Sequence, residues 1–136
     1  MRTSSKNPLT AHRARVLAAV DHVTVPVNAE AVYSLVKRSI NKATVYRALQ
    51  FLAKTNRIAE FVSDCPETGM LRYYYPLREP HTHFFHCTNC HTFIPFDGCT
   101  LSGAIRDFEK SNGLSVTAHT LALSGTCGAC TSVKRI

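Results

Sequence analysis

The chain has 136 residues and a mass of 15.1 kDa, room for one ordinary domain or two small ones of about 60 to 75 residues each. With 45% hydrophobic and 18% charged residues it reads as globular, not disordered, and no apolar stretch is long enough for a transmembrane helix. Val16 to Val20 is too short for a signal-peptide core, so a cytoplasmic protein is expected. The net charge of +7 is unevenly spread. Residues 1–78 hold 12 Lys+Arg against 5 Asp+Glu, whereas residues 79–136 hold 4 of each. Five of the seven histidines and five of the six cysteines fall after residue 78. One half suits a polyanion and the other suits metal. Pro76 and Pro80 bracket the change, so a hinge is expected there, between domains 1–78 and 79–136.

In chain order, a first helix runs from Leu9 to Val20, capped by Thr10, with Val16, Leu17 and Val20 as its apolar stripe and Arg13 and Arg15 off it. Asn28 caps a second helix whose buried face is expected at Ala31, Val32, Leu35 and Val36. Asn41 caps a third, running from Lys42 to about Thr55. Val45, Leu49 and Leu52 face inward, and Tyr46, Arg47, Gln50 and Lys54 face out with no acid among them. Asn56 suits the left-handed residue that ends the helix. Such a face fits phosphates and base edges in a major groove. Arg57–Val62 and Met70–Tyr75, joined by turn-prone residues 63–69, read as a hairpin. Three helices and a hairpin make the winged-helix order, with the third helix as reader. The plainer reading is a solvated basic helix with no DNA role.

Cys87-Thr88-Asn89-Cys90 and Cys127-Gly128-Ala129-Cys130 are two C-x-x-C pairs with 36 residues between them. One pair alone is also a redox motif; two together make the four thiolates of a closed, tetrahedral structural zinc site. A closed site has no open position to activate water. Between them, Leu101, Ile105 and Phe108 mark a helix ended by Gly113, and residues 114–123 are β-prone. The order strand, knuckle, strand, helix, strand, knuckle gives a small α+β zinc domain. In an extended stretch His81, His83 and Phe85 point one way, and Phe84 and His86 the other. His81 and His83 could therefore grip one ion, with His119 joining them. The alternative makes His81 and His83 exposed linker residues, and His86 and His119 partners of backbone.

These residues resemble the ferric uptake regulator (Fur) family of metal-responsive winged-helix repressors. The matching pieces are Leu9-Thr10, Arg13, Val16-Leu17; Ala29 to Tyr33; Ala43 to Leu49; Cys87 and Cys90; His119 and Leu121; and Gly125, Cys127 and Cys130. The resemblance implies a homodimer joined through the second half and bound to double-stranded DNA. It implies DNA contacts from Tyr46 and Arg47, and from Arg13 on the first helix; Gln50, Lys42 and Lys54 complete the expected DNA-binding set. It also implies a second, regulatory divalent metal at the hinge.

The usual sensory ligands are displaced. The family's histidine three before the first knuckle falls on Phe84, its acid five after Cys90 falls on Pro95, and its acid before the hinge falls among Tyr73 to Tyr75. A rebuilt site of His81, His83 and His119, with Asp97 or Glu79, would be nitrogen-rich and suit zinc, nickel or copper(II). The expected function is a metal-responsive repressor, closer to the zinc uptake regulators than to iron sensors. The alternatives are a Fur-like DNA binder with structural zinc and no regulatory metal, a zinc-stabilised thiol oxidoreductase, and a zinc scaffold that meets only protein. No nucleophile–base constellation or phosphate loop points to an enzyme. Cys65 and Cys99 stay unassigned, either as a loop thiol and a small buried residue or with one of them joining the sensory site or reporting oxidation.

Overall fold

The structure, a computed structural model, describes residues 9–78, 81–96 and 99–133. It divides into two compact units: Met1–Glu60 with Tyr73–Pro76, and Phe61–Arg72 with Leu77–Ile136.

The first unit holds α1 (Ala11–Asp21), β1 (Val27–Asn28), α2 (Ala29–Val36) and α3 (Lys42–Lys54). Each helix starts where a polar side chain can take an orphan amide. Thr10 Oγ1 accepts from Arg13 N at 3.3 Å, Asn28 Oδ1 from Ala31 N at 2.9 Å and Asn41 Oδ1 from Thr44 N at 2.9 Å. α3 ends as expected, with Asn56 at φ 57°. The core joins Val16 and Val20 of α1, Ala29 and Val32 of α2, Val45, Ala48, Leu49 and Leu52 of α3, and Ile40, Ile58 and Tyr74.

The buried face of α2 differs from the sequence reading. Leu35 is 63% exposed, and Ala29 is buried. The stripe runs Ala29, Val32, Tyr33, Val36, which keeps the three-and-four spacing but begins at the first helical residue.

β2 (Ile58–Cys65) and β3 (Gly69–Pro76) form the hairpin, with β1 on the outer side of β3 in the order β1-β3-β2. β2 runs three residues beyond the expected Val62. Ser63 and Cys65 are buried and alternate with exposed Asp64, so the strand pattern persists through polar residues. The two-residue β1 had no pattern to reveal it. It pairs Val27 with Tyr74 and Asn28 with Tyr73.

The second unit holds the distal part of that hairpin, then β4 (His83–Cys87), β5 (Phe93–Phe96), α4 (Ser102–Asn112), β6 (Ala122–Gly125) and α5 (Gly128–Val133). Its sheet order is β5-β4-β6, antiparallel on one side of β4 and parallel on the other. Phe61 stacks on Phe84 with centroids 6.3 Å apart and meets Phe93 edge-on. Gly113 closes α4 at φ 61°. Of the β-prone run 114–123, only its last two residues join a strand; residues 114–121 have no regular structure. No residue of α4 is buried. Among the described residues no helix is long and apolar enough to cross a membrane.

Candidate functional site

The parallel pairing of β4 with β6 explains how two distant knuckles meet. It sets Cys87 opposite Gly125, two residues before Cys127. Thr88 then locks the pair, donating to the Gly125 carbonyl through its amide at 2.8 Å and its hydroxyl at 3.1 Å. The first knuckle closes with His91 N donating to Cys87 O at 2.8 Å, and His91 takes the left-handed φ of 62°. The four sulfurs of Cys87, Cys90, Cys127 and Cys130 lie within 4.8 Å of one another. Cys90 Sγ and Cys127 Sγ are 3.8 Å apart. Thiolates about 2.3 Å from a tetrahedral ion would be separated by about 3.8 Å, so the donor set fits zinc.

The surroundings favour thiolate at one end. The Cys87 thiol is lowered to about 5 by backbone amides of Cys90 and then Cys127; Cys127 N lies 3.3 Å from its sulfur. Cys130 behaves oppositely. The Asn89 amide, at 3.2 Å, favours its thiolate, but the neighbouring Cys127 thiol, burial and the remaining thiols outweigh it and push it up to about 11. Crowded thiols that oppose each other's ionisation are what a divalent cation relieves.

A second cluster joins His81, His83, Cys99 and His119, with all four ligand atoms within 4.8 Å of one another. His119 Nε2 lies 3.4 Å from His83 Nε2 and 3.2 Å from Cys99 Sγ. Nitrogens about 2.05 Å from a tetrahedral ion would sit about 3.3 Å apart, which the histidine pair matches. The ring centroids of His81 lie 4.9 Å from those of His83 and 5.0 Å from those of His119. Nε2 of His81 is buried and has no hydrogen-bond partner, a feature of a nitrogen reserved for an ion. Burial, then the neighbouring His81 and His119, hold His83 below the usual histidine range, so at neutral pH it keeps a lone pair for metal.

Three segments bring these donors together. His83 opens β4. Cys99 precedes α4, and its carbonyl accepts from Ser102 N at 3.1 Å and Ser102 Oγ at 2.9 Å. His119 lies in the irregular run before β6, which Glu109 of α4 anchors by accepting from Val116 N at 3.0 Å.

The linker reading of His81 and His83 therefore fails: His83 is 6% exposed, and both belong to the cluster. His119 meets side chains, not backbone. His86 stands apart, its Nδ1 3.2 Å from Ser63 Oγ. Cys99, which the sequence left open between a bland thiol and a member of the sensory site, lies in the cluster; no spacing in the chain marks it. The expected acids Asp97 and Glu79 lie outside the described residues. Cys65 is buried, 3.9 Å from His91 Nδ1, whose Nε2 is 2.9 Å from Glu67 Oε2.

On the first unit, Tyr46, Arg47, Gln50, Lys42 and Lys54 of α3 are all exposed. Lys42 pairs with Glu30 of α2, and the Tyr46 hydroxyl donates to the same Glu30 oxygen at 3.5 Å. Arg47 Nη2 donates to Thr44 Oγ1 at 3.4 Å. Arg13 is half-buried, with its guanidinium 3.6 Å above the Phe51 ring.

The ferric uptake regulator family profile matches residues 5–124. The ferric uptake regulation protein of Campylobacter jejuni is 27% identical over 130 residues, spanning 92% of this chain and 80% of that protein. The Helicobacter pylori ferric uptake regulator Fur, described with three functional metal-binding sites, shares the fold with a TM-score of 0.70 at 21% identity, covering 87% of this chain and 80% of its own. Holo XcZur superposes with a TM-score of 0.58 at 26% identity, covering 93% and 89%. With the family profile spanning residues 5–124 of its 136, this chain belongs to the ferric uptake regulator family.

Proposed function

We propose that the chain is a zinc-responsive transcriptional repressor that binds duplex DNA as a homodimer, with residues 1–78 meeting DNA and residues 79–136 forming the metal-binding and dimerising half. One observation carries the reading: His81, His83, Cys99 and His119 converge on one point, separate from the point on which Cys87, Cys90, Cys127 and Cys130 converge.

The four-cysteine set would hold a structural zinc. The second set, three nitrogens and one sulfur, would hold the sensed ion; it suits zinc better than the hard, oxygen-seeking manganese or magnesium. An ion there would supply a single positive centre tying the start of β4 to the loop before α4 and the run before β6. Tyr46, Arg47, Gln50, Lys42 and Lys54 would meet the operator, with Arg13 beside them on α1. Convergence of both C-x-x-C pairs on one point also weakens the oxidoreductase alternative, which needs a pair free to cycle.

The test is metal content by elemental analysis, paired with binding to a selected duplex pool before and after adding zinc, manganese or iron(II). One tightly held zinc plus a second zinc that switches on binding supports the proposal. Binding indifferent to every added metal overturns the sensory part. No salt-dependent DNA binding at all overturns the regulator reading.

A further inference from the structure

α3 carries no acidic residue, and its first helical position is a lysine, Lys42. A cation there opposes the positive end of the helix dipole. The only acid on the neighbouring α2 is Glu30, in that helix's first turn, where the dipole favours an anion. Glu30 Oε1 pairs with Lys42 and also accepts from the Tyr46 hydroxyl at 3.5 Å. Both side chains of the pair are more than half exposed, 53% for Lys42 and 57% for Glu30, so neither is held by burial. One carboxylate thus engages two groups of the face proposed to read DNA.

We infer that Glu30 is a discrimination residue, an internal anion that stands where a phosphate would and lowers affinity for DNA of arbitrary sequence. This rests on the DNA-binding reading above. The physical case is simple. Sequence-independent affinity comes from cations that neutralise phosphates. Lys42 can join them only by leaving Glu30, and a bare Glu30 would then repel the same backbone. The Glu30 carboxylate holds Lys42 above the usual lysine range, first by their hydrogen bond and then by charge, in keeping with this pairing. Base contacts that need the right sequence, such as those expected of Arg47, do not bear this cost. Glu30 therefore weighs most on binding held by phosphates alone and least on an operator that is also held by base contacts.

The test measures salt-dependent binding of random duplex and of a selected operator to full-length wild type, Glu30→Gln, Lys42→Gln and the double variant. The expected result is that Glu30→Gln tightens random-duplex binding about two- to fivefold. The slope of log affinity against log salt should steepen by about 0.9, one extra phosphate contact. Lys42→Gln removes one of the expected DNA contacts and should itself weaken binding, and against that background the double variant, with no Lys42 to free, should show no steeper slope than Lys42→Gln alone. The ratio of operator to random affinity should fall in Glu30→Gln. An unchanged slope in Glu30→Gln, or a weakened binding that Lys42→Gln does not alter, overturns the inference while leaving the DNA reading intact. A wild type that binds no duplex at low salt sinks that reading and the inference with it. Matching thermal melts of the four proteins keep a folding defect from imitating either result.

Discussion

Cys99 Sγ lies 3.2 Å from His119 Nε2, although 20 positions separate the two residues in the chain. That contact turns a histidine group into a mixed nitrogen–sulfur set, and the sulfur gives it a spectroscopic label. Cobalt(II) loaded at the second cluster should show a sulfur-to-metal charge-transfer band beyond that of the four-cysteine site. Cys99→Ser should remove that extra band and weaken the second ion about tenfold or more, while the tightly held zinc stays at one per chain. An unaltered second-site affinity would make the sulfur a bystander.

The second unit has little else to hold it. Among its described residues few apolar side chains are buried, and α4 buries none. Stripping the tightly held metal with a chelator, or replacing Cys127 with Ala, should melt this unit, and the loss should reverse only when zinc is restored to the wild type. Thermal unfolding with and without chelator checks this. A melt unmoved by chelation would mean that the fold of this half does not depend on the ion.

The first unit should respond oppositely. Leu49 is fully buried among α1, α2 and α3 residues, so Leu49→Ala should destabilise that unit by about 2 to 5 kcal/mol. Chemical denaturation should register the loss with zinc content unchanged. A cost under about 1 kcal/mol would show that the core collapses around the gap.

Arg47→Ala should weaken operator binding by about 1 to 3 kcal/mol and relax sequence preference, if its guanidinium reads a base edge. Arg13, seated on Phe51, should behave as a backbone contact at most: Arg13→Ala should lower affinity evenly across sequences. Binding titrations against a set of single-base operator variants separate the two patterns. Uniform loss in both variants would remove Arg47 from sequence reading.

Much of the first unit was legible because its signals are local. Thr10, Asn28 and Asn41 each cap the helix expected of them. Val45, Leu49 and Leu52 face inward at the spacing read from the chain. Leu35 was misread because two stripes fit the same eight residues, and only the packing of Ala29 decides between them. The β2 extension was hidden because Ser63 and Asp64 look like turn residues until neighbours bury Ser63. The cysteine knuckles were legible as motifs, and their meeting follows from parallel β4–β6 pairing, which residues 114–123 overstate as a long strand. For Cys99 the sequence offered only a choice, shared with Cys65, between a bland thiol and a member of the sensory site. A lone residue from a separate segment has no spacing to announce a shared site; only the folded path of the chain sets it beside His119.

The distal part of the hairpin clusters with the second unit, and there Phe61 stacks on Phe84. No single scissor cut therefore separates the two halves of this protein. A fragment ending at residue 78 would carry Phe61, Ser63 and Cys65 away from the side chains that cover them, and a fragment starting at 79 would lack a piece of its own interior. Anyone dissecting the molecule by truncation should expect insoluble or fraying pieces from either side, and would do better to keep the chain whole and disable one half at a time by point substitution.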